Sequence, residues 1–450
     1  MLKSFANYWK ELFKTFSNAW KVPELKTKLL FTLLIVVLYR IGAVIHVPFT
    51  DYEAMQAELG RAGGNLFTYL DVLSGQAFSQ ATLFALGVSP YITSSIVIQL
   101  LTVAIPAFER WQKSGEEGQK KLTALTRIIT VALAFITAWG YCMYMNTNGY
   151  LTDFGKTVFG QFVIIFCYAA GASLVMWLAE KVNEHGIGNG ISIILFANIV
   201  ASGVSTANSL IIYAMSDAWR LVLTIAVVYG ALAMLVFVVW VTNSERRLAV
   251  KYAKRVVGNK MMGGQSSNLP IKLNMSGVMP IIFANSIVAL PGTFQLIFSK
   301  ALSDGKDTFW GGFWNKFFEV TGYTSPLYAI VFFILIIAFS YFYIMISFNP
   351  VEVANNLKKN GGFIPGIRPG DPTANYITKV LNRITFIGAI FLGIVAVVPL
   401  IVNMIAGGVA IGSLAFGGSS LLIVVGVILE TVRELDAQVT MRHYKGGFLD

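Results

Sequence analysis

Apolar residues along this chain fall neither into the two-residue alternation of strands nor into the narrow stripe of a surface helix. They form long runs separated by short polar segments. Runs long enough to cross about 30 Å of hydrocarbon as helix lie at residues 29–45, 81–105, 122–145, 159–180, 191–215, 219–242, 278–298, 327–348, 384–405 and 411–432. The pattern predicts an all-α polytopic membrane protein with ten spans. An even number of spans places both termini on one side.

Three segments depart from simple spans. Phe5 to Trp20 spaces Phe5, Trp9, Leu12, Phe13, Phe16 and Trp20 at near-helical intervals with lysines between them, which predicts an amphipathic helix lying along the membrane surface. Gly63 to Phe78 is apolar but too short to cross. A broken helix at membrane depth is tolerated only where it lines a cavity or is buried in protein; the alternative is an external amphipathic loop helix. Gly186, Gly188 and Gly190 crowd a tight turn leading into the fifth run, where glycine permits positive φ and close helix approach. That turn has no lysine at phosphate-loop spacing.

Composition supports the membrane reading, with 56% hydrophobic and 13% charged residues. The net charge of +11 is chiefly topological. Of 34 Lys and Arg, 27 fall on the side of the termini, and only Arg40, Arg61, Lys156, Arg220, Lys300, Lys306 and Lys316 on the other. Basic excess marks the cytoplasmic face, so both termini are expected in the cytoplasm. The first 28 residues are lysine-rich without an unbroken apolar core, so the first span is expected to serve as the insertion signal.

Candidate chemistry is sparse. Cys142 and Cys167 lie in different runs without metal or redox spacing and read as packing residues. His46, His185 and His443 lie at an outer boundary, in a turn and in the tail, with no serine or carboxylate to complete a catalytic set. Acidic residues are absent from the middle of every run. Ion-coupled solute transporters, the competing class with inverted repeats and broken helices, usually carry intramembrane ionisable groups. A pore with an apolar lining fits better. The long polar stretch Phe348 to Asp371, between two membrane runs, suggests a docking surface for a macromolecule.

Five motifs then carry a resemblance: ALGVSPYITSSIVIQLLT (Ala85–Thr102), GIGNGISII (Gly186–Ile194), LPIKLNMSGVMPIIFA (Leu269–Ala284), NNLKKNGGFIPGIRPG (Asn355–Gly370) and GGSSLLIVV (Gly417–Val425). Together, and in order, they resemble the SecY family of protein-conducting channels across essentially the whole chain. The resemblance implies two pseudo-symmetric inverted halves of five spans, 29–215 and 216–436, after a cytoplasmic segment 1–28 and before a tail 437–450. By position it places a pore ring at Val88, Ile92, Ile191, Leu195, Ile282 and Ile423, where relatives usually carry isoleucine at most sites. It places a plug at 63–78, including Asn65, Leu66, Phe67, Tyr69, Leu70, Val72 and Leu73, with Gln80 where some relatives carry arginine. It implies a lateral gate with Ile96, Gln99 and Asn285, the last two as a polar latch between helices. Docking loops at 243–275 and 349–375 would carry Lys254, Arg255, Lys358, Lys359 and Arg368, with Val351 where many relatives have a charge.

Implied partners are SecE, SecG, the SecA ATPase, the ribosome, precursors bearing signal sequences, and SecDF and YidC. No nucleotide motif or cofactor site is expected in this chain itself, so the driving energy must come from the motor or the ribosome. The implied location is a bacterial inner membrane.

Overall fold

The computed structural model describes residues 17, 19–61, 71, 74–252, 255–257, 260–262, 266–297, 325–405 and 417–446. Among these residues helices lie on all ten predicted runs. They are α1 (Pro23–Gly42), α3 (Ser89–Ala104), α5 (Glu116–Thr147), α6 (Val158–His185), α7 (Gly190–Ser216), α8 (Ala218–Thr242), α9 (Met279–Ile297), α10 (Pro326–Ser347), α12 (Asp371–Ile405) and α13 (Gly417–Gly446). Three shorter helices accompany them: α2 (Tyr52–Arg61), α4 (Pro106–Lys113) and α11 (Pro350–Lys359). By length and apolar composition alone six helices qualify as membrane spans, or seven if α3 and α4 are counted as one broken span. α1 carries Lys26, Lys28 and Arg40, and α13 carries Glu430, Arg433 and Glu434, so each mixes charged residues with its apolar run.

Local signals set the boundaries. Thr157 caps α6 by accepting from Gly160 N at 3.2 Å. Asn189 caps α7 by accepting from Ile191 N at 3.1 Å. Ser325 and Asn349 cap α10 and α11, each followed by proline, whose fixed φ and missing N–H suit the first helical position.

The second predicted run needs correction. Helix begins only at Ser89, and residues 77–88 form turns. Gly87 adopts φ +53° and Pro90 starts the helix, so the run's apolar character continued past the point where the backbone could stay helical. The resulting 16 residues reach about 24 Å, and the preceding turns complete that wall. At its other end α3 meets α4 at a bend of 102°, where Pro106 cannot donate into the preceding turn.

The predicted polar loops are also more ordered than expected. β1 (Glu245–Tyr252), β4 (Ser266–Lys272) and β5 (Gly362–Phe363) form one antiparallel sheet in the order β4-β1-β5, pairing Glu245 with Lys272 and Lys251 with Phe363. β2 (Arg255–Val257) and β3 (Lys260–Met262) make a hairpin. α12 starts at Asp371, well before the apolar run, and α13 continues to Gly446, through much of what the sequence suggested was a separate tail. Buried Leu248, Val250 and Ile271 of the sheet pack with Ile377, Leu381 and Ile384 of α12, so the two segments form one module on an extended helix. The chain remains predominantly helical. The N-terminal amphipathic helix falls largely outside the described residues; within them, Trp20 is exposed beneath the Lys26 ammonium.

Close helix packing depends on glycine. A Cβ at Gly171 in α6 would overlap the Leu83 carbonyl oxygen, and one at Gly190 would overlap that of Ala179. Backbone atoms cannot turn aside as a side chain can. We expect Gly171→Ala to destabilise the bundle by about 1–3 kcal/mol or more, the range for overpacking, seen as a lowered melting temperature of the purified protein in detergent. An unchanged melting temperature would contradict this packing.

Candidate functional site

The residues predicted for the ring lie on four helices. α3 contributes Ile92, with Val88 at its N-cap; α7 contributes Ile191 and Leu195, α9 Ile282 and α13 Ile423. Val88, Ile92, Leu195, Ile282 and Ile423 belong to one buried cluster, each at most 7% exposed, and Ile191 packs against it. All six are aliphatic, and none offers a directional bond. At a pore constriction, side chains of this kind resist wetting, which slows ions, and favour no passing side chain over another.

The seam beside the ring is apolar. α9 packs on α3 and α5 on one side and on α10 on the other. Ile96 is 3% exposed and joins the ring's cluster, while Phe283 meets Phe339 edge to face with centroids 5.9 Å apart. Of the predicted latch, Gln99 donates to Ser95 Oγ at 3.2 Å, one turn back on its own helix, and Asn285 is buried on α9. Polar bonds missed by the sequence reading instead hold the first half together. Ser94 pairs with Thr130 between α3 and α5, both fully buried. Arg127 donates to Glu180 at 2.9 Å between α5 and α6. Hydroxyls and one acid near a helix end gave no spacing signal that would have singled them out.

The seven predicted plug residues Asn65, Leu66, Phe67, Tyr69, Leu70, Val72 and Leu73 lie outside the described residues. The stretch that follows is firmly anchored. Phe78 N donates to Ser74 Oγ at 3.0 Å, Ser79 N to Asp71 Oδ1 at 2.7 Å and Tyr141 OH to the Phe78 carbonyl at 2.6 Å. Arg40, read from sequence as a charge near an external helix end, turns inward to the Gly75 and Ala197 carbonyls. Its signal was available, as the one charge inside the first apolar run.

On the opposite face, Lys358 and Lys359 end α11 and are exposed, favourably placed at the negative end of that helix. Arg368 is exposed on a turn whose shape is fixed by Thr373 Oγ1 donating to the Arg368 carbonyl at 2.8 Å. Arg255 lies on β2, with its side chain outside the described residues, as is Lys254 altogether. Between this module and α9 runs the strap Leu273–Val278. Leu273 N donates to the Ser244 carbonyl at 2.9 Å, and Gly277 adopts φ +63°. A cavity of about 250 Å³ beside the strap is lined by Lys272, Asn274, Ser276, Glu430 and Arg433 among others. Burial, reinforced by nearby Arg433, holds the Lys272 ammonium below its usual pKa. The glycine turn is tied to α13 by Gly188 N donating to Glu434 at 2.9 Å and to α1 by Ile187 N donating to Thr32 Oγ1 at 3.1 Å.

The SecY family profile matches residues 82–432, which includes all six positions predicted for the ring. The chain belongs to the SecY family. It is 42% identical over 444 residues to the protein translocase subunit SecY of Streptomyces coelicolor, covering 96% of this chain and 98% of that one. It is 40% identical over 450 residues to its counterpart in Mycobacterium tuberculosis, covering 97% and 99%. Among solved structures it is similar in fold to "The structure of a protein conducting channel", with TM-score 0.60 and 19% identity over 91% of each chain. It is also similar to the canine Sec61 of a ribosome-channel complex from the endoplasmic reticulum, with TM-score 0.56 and 19% identity over 91% of each. As a SecY-family chain with several long apolar helices, it is a multi-pass membrane protein.

Proposed function

We propose that this chain is the channel subunit of a Sec translocon, conducting unfolded polypeptides across a bacterial inner membrane and releasing apolar segments sideways into lipid. The observation that supports the reading is that the six aliphatic residues assigned to the ring lie on α3, α7, α9 and α13, within or against one buried apolar cluster. A solute transporter would instead place polar, ion-binding groups at this level. The likeness to a translocase subunit over nearly the whole chain supports the same reading.

In this account ten helices cross the membrane in two halves, 29–215 and 216–436, with both termini in the cytoplasm. The ring seals the resting pore, and the segment 63–78 stoppers it from outside. A signal sequence parts the seam where α3 and α5 meet α9 and α10. Because that seam is mostly apolar and Gln99 is bonded within its own helix, parting it exchanges one apolar neighbour for another and costs little. The module built from 243–275 and 349–375 receives SecA or a ribosome through Lys254, Arg255, Lys358, Lys359 and Arg368. The strap to α9 gives docking a route to the seam. SecE and SecG complete the complex, SecDF and YidC act beside it, and ATP hydrolysis or chain elongation supplies the energy. The chain performs no catalysis.

Reconstitution tests this. Vesicles containing the chain with SecE and SecG should make a secretory precursor protease-resistant when SecA and ATP are added, and not when either is omitted. A correctly assembled complex that protects no precursor would sink the proposal.

A further inference from the structure

Arg40, in the last turn of α1, has no ion-pair partner among the described residues. Its guanidinium is satisfied by backbone instead. Nη2 donates to the Ala197 carbonyl on α7 at 2.7 Å and Nη1 to the Gly75 carbonyl at 3.3 Å. A planar fork with five donors can bond two carbonyls on separate segments at once; a lysine ammonium lacks that reach and geometry.

Both acceptors occupy telling positions. Ala197 lies two residues beyond Leu195 of the ring, and the adjoining Asn198 donates to Tyr39 OH at 2.9 Å, a second tie between α7 and α1. Gly75 and Gln76 have φ of +71° and +69°, so the backbone turns sharply there. A Cβ on Gly75 would lie 2.8 Å from Arg40 Nη2 and 2.9 Å from Nη1. Glycine therefore serves twice, allowing the turn and admitting the guanidinium. Beyond it the chain is stapled to the first half, with Tyr168 OH donating to the Ala81 carbonyl at 3.3 Å, Val47 N to the same carbonyl at 3.0 Å and Leu83 N to the Ile45 carbonyl at 2.8 Å.

We propose that Arg40 is a positioning residue that couples the ring-bearing helix α7 to the turn at Gly75, so that ring and turn are held in the resting arrangement together and yield together. The inference rests on the channel reading given above. A shift of α7 that widens the ring at Leu195 carries the Ala197 carbonyl with it. The guanidinium must then give up one of its two acceptors. Without it, each element relaxes alone, and the resting channel spends more time unsealed.

The test compares Arg40→Gln, Arg40→Lys and Gly75→Ala with the parent channel, each assembled with SecE and SecG in planar bilayers and in vesicles. With no precursor present, Arg40→Gln and Gly75→Ala should conduct ions at least about tenfold more than the parent, since each removes a charge-assisted bond. Arg40→Lys should fall between them and the parent. The leaky variants should also transport a precursor whose signal sequence has been weakened, which the parent rejects, while still transporting the intact precursor. Loss of a purely structural contact would lower assembly and transport together and open no new route. The proposal is overturned if the assembled variants seal as tightly and select as strictly as the parent. It is equally overturned if none of the three assembles. A parent channel that transports no intact precursor would fault the channel reading itself, which separates the two failures.

Discussion

Ile423→Glu is expected to raise the resting ion conductance of the assembled channel by at least about tenfold, the largest effect foreseen for any single change in the pore. Ile423 is 2% exposed within the cluster that also holds Ile92, Leu195 and Ile282. The residues of that cluster are all apolar. An unpaired buried charge costs several kcal/mol, so water enters to solvate it, and a wet constriction conducts. Ile423→Val keeps the surface aliphatic and should stay near the parent value. If glutamate prevents assembly, Ile423→Asn carries the same test with a milder penalty. Single-channel recording without precursor measures the outcome. A tight channel with a polar residue at 423 would mean that the seal lies elsewhere.

The second large effect concerns the opposite face. Arg368→Glu is expected to reduce SecA-driven transport by about thirtyfold or more, because reversing one charge of a close interfacial pair typically removes 2–5 kcal/mol. Arg368 is exposed, and Thr373 holds its turn through the backbone carbonyl, so the substitution leaves the fold alone. Arg368→Lys should be intermediate, since an ammonium keeps the charge and loses the bidentate fork. Transport into vesicles together with direct SecA binding decides the matter. Full transport by the reversed variant would remove Arg368 from the docking surface.

The architecture was largely legible in the sequence because the bilayer imposes long apolar runs, and helices lie on all ten of them. One boundary was misread for a definite reason. Hydropathy reports environment and not backbone conformation, so 81–88 joined α3 although the helix starts only at Ser89, after Gly87 and with Pro90 in its first turn. The same limitation hid the small sheet, whose strand β5 is only two residues long and is fixed by its partners Lys251 and Tyr252. The ring positions came from resemblance, because aliphatic residues four apart are ordinary in apolar helices. That they lie in or against one buried cluster is visible only in three dimensions. Gln99 shows the opposite limit. The resemblance implied an interhelical bond, yet Gln99 donates to Ser95 one turn away on its own helix. Arg40 was conspicuous from the start as a charge in an apolar run, but its acceptors are carbonyls, which no side-chain pattern reveals.

The route of the polypeptide is the central claim, and crosslinking tests it most directly. A photoreactive residue is placed at Ile282, a second at Ile92, and a control at Val222, which is exposed on α8. A precursor is stalled in transit in membranes supplied with SecA and ATP. Adducts at 282 and 92 and none at 222 are the predicted result. A stalled precursor that is protease-protected yet forms no adduct at either ring position would contradict passage through the ring.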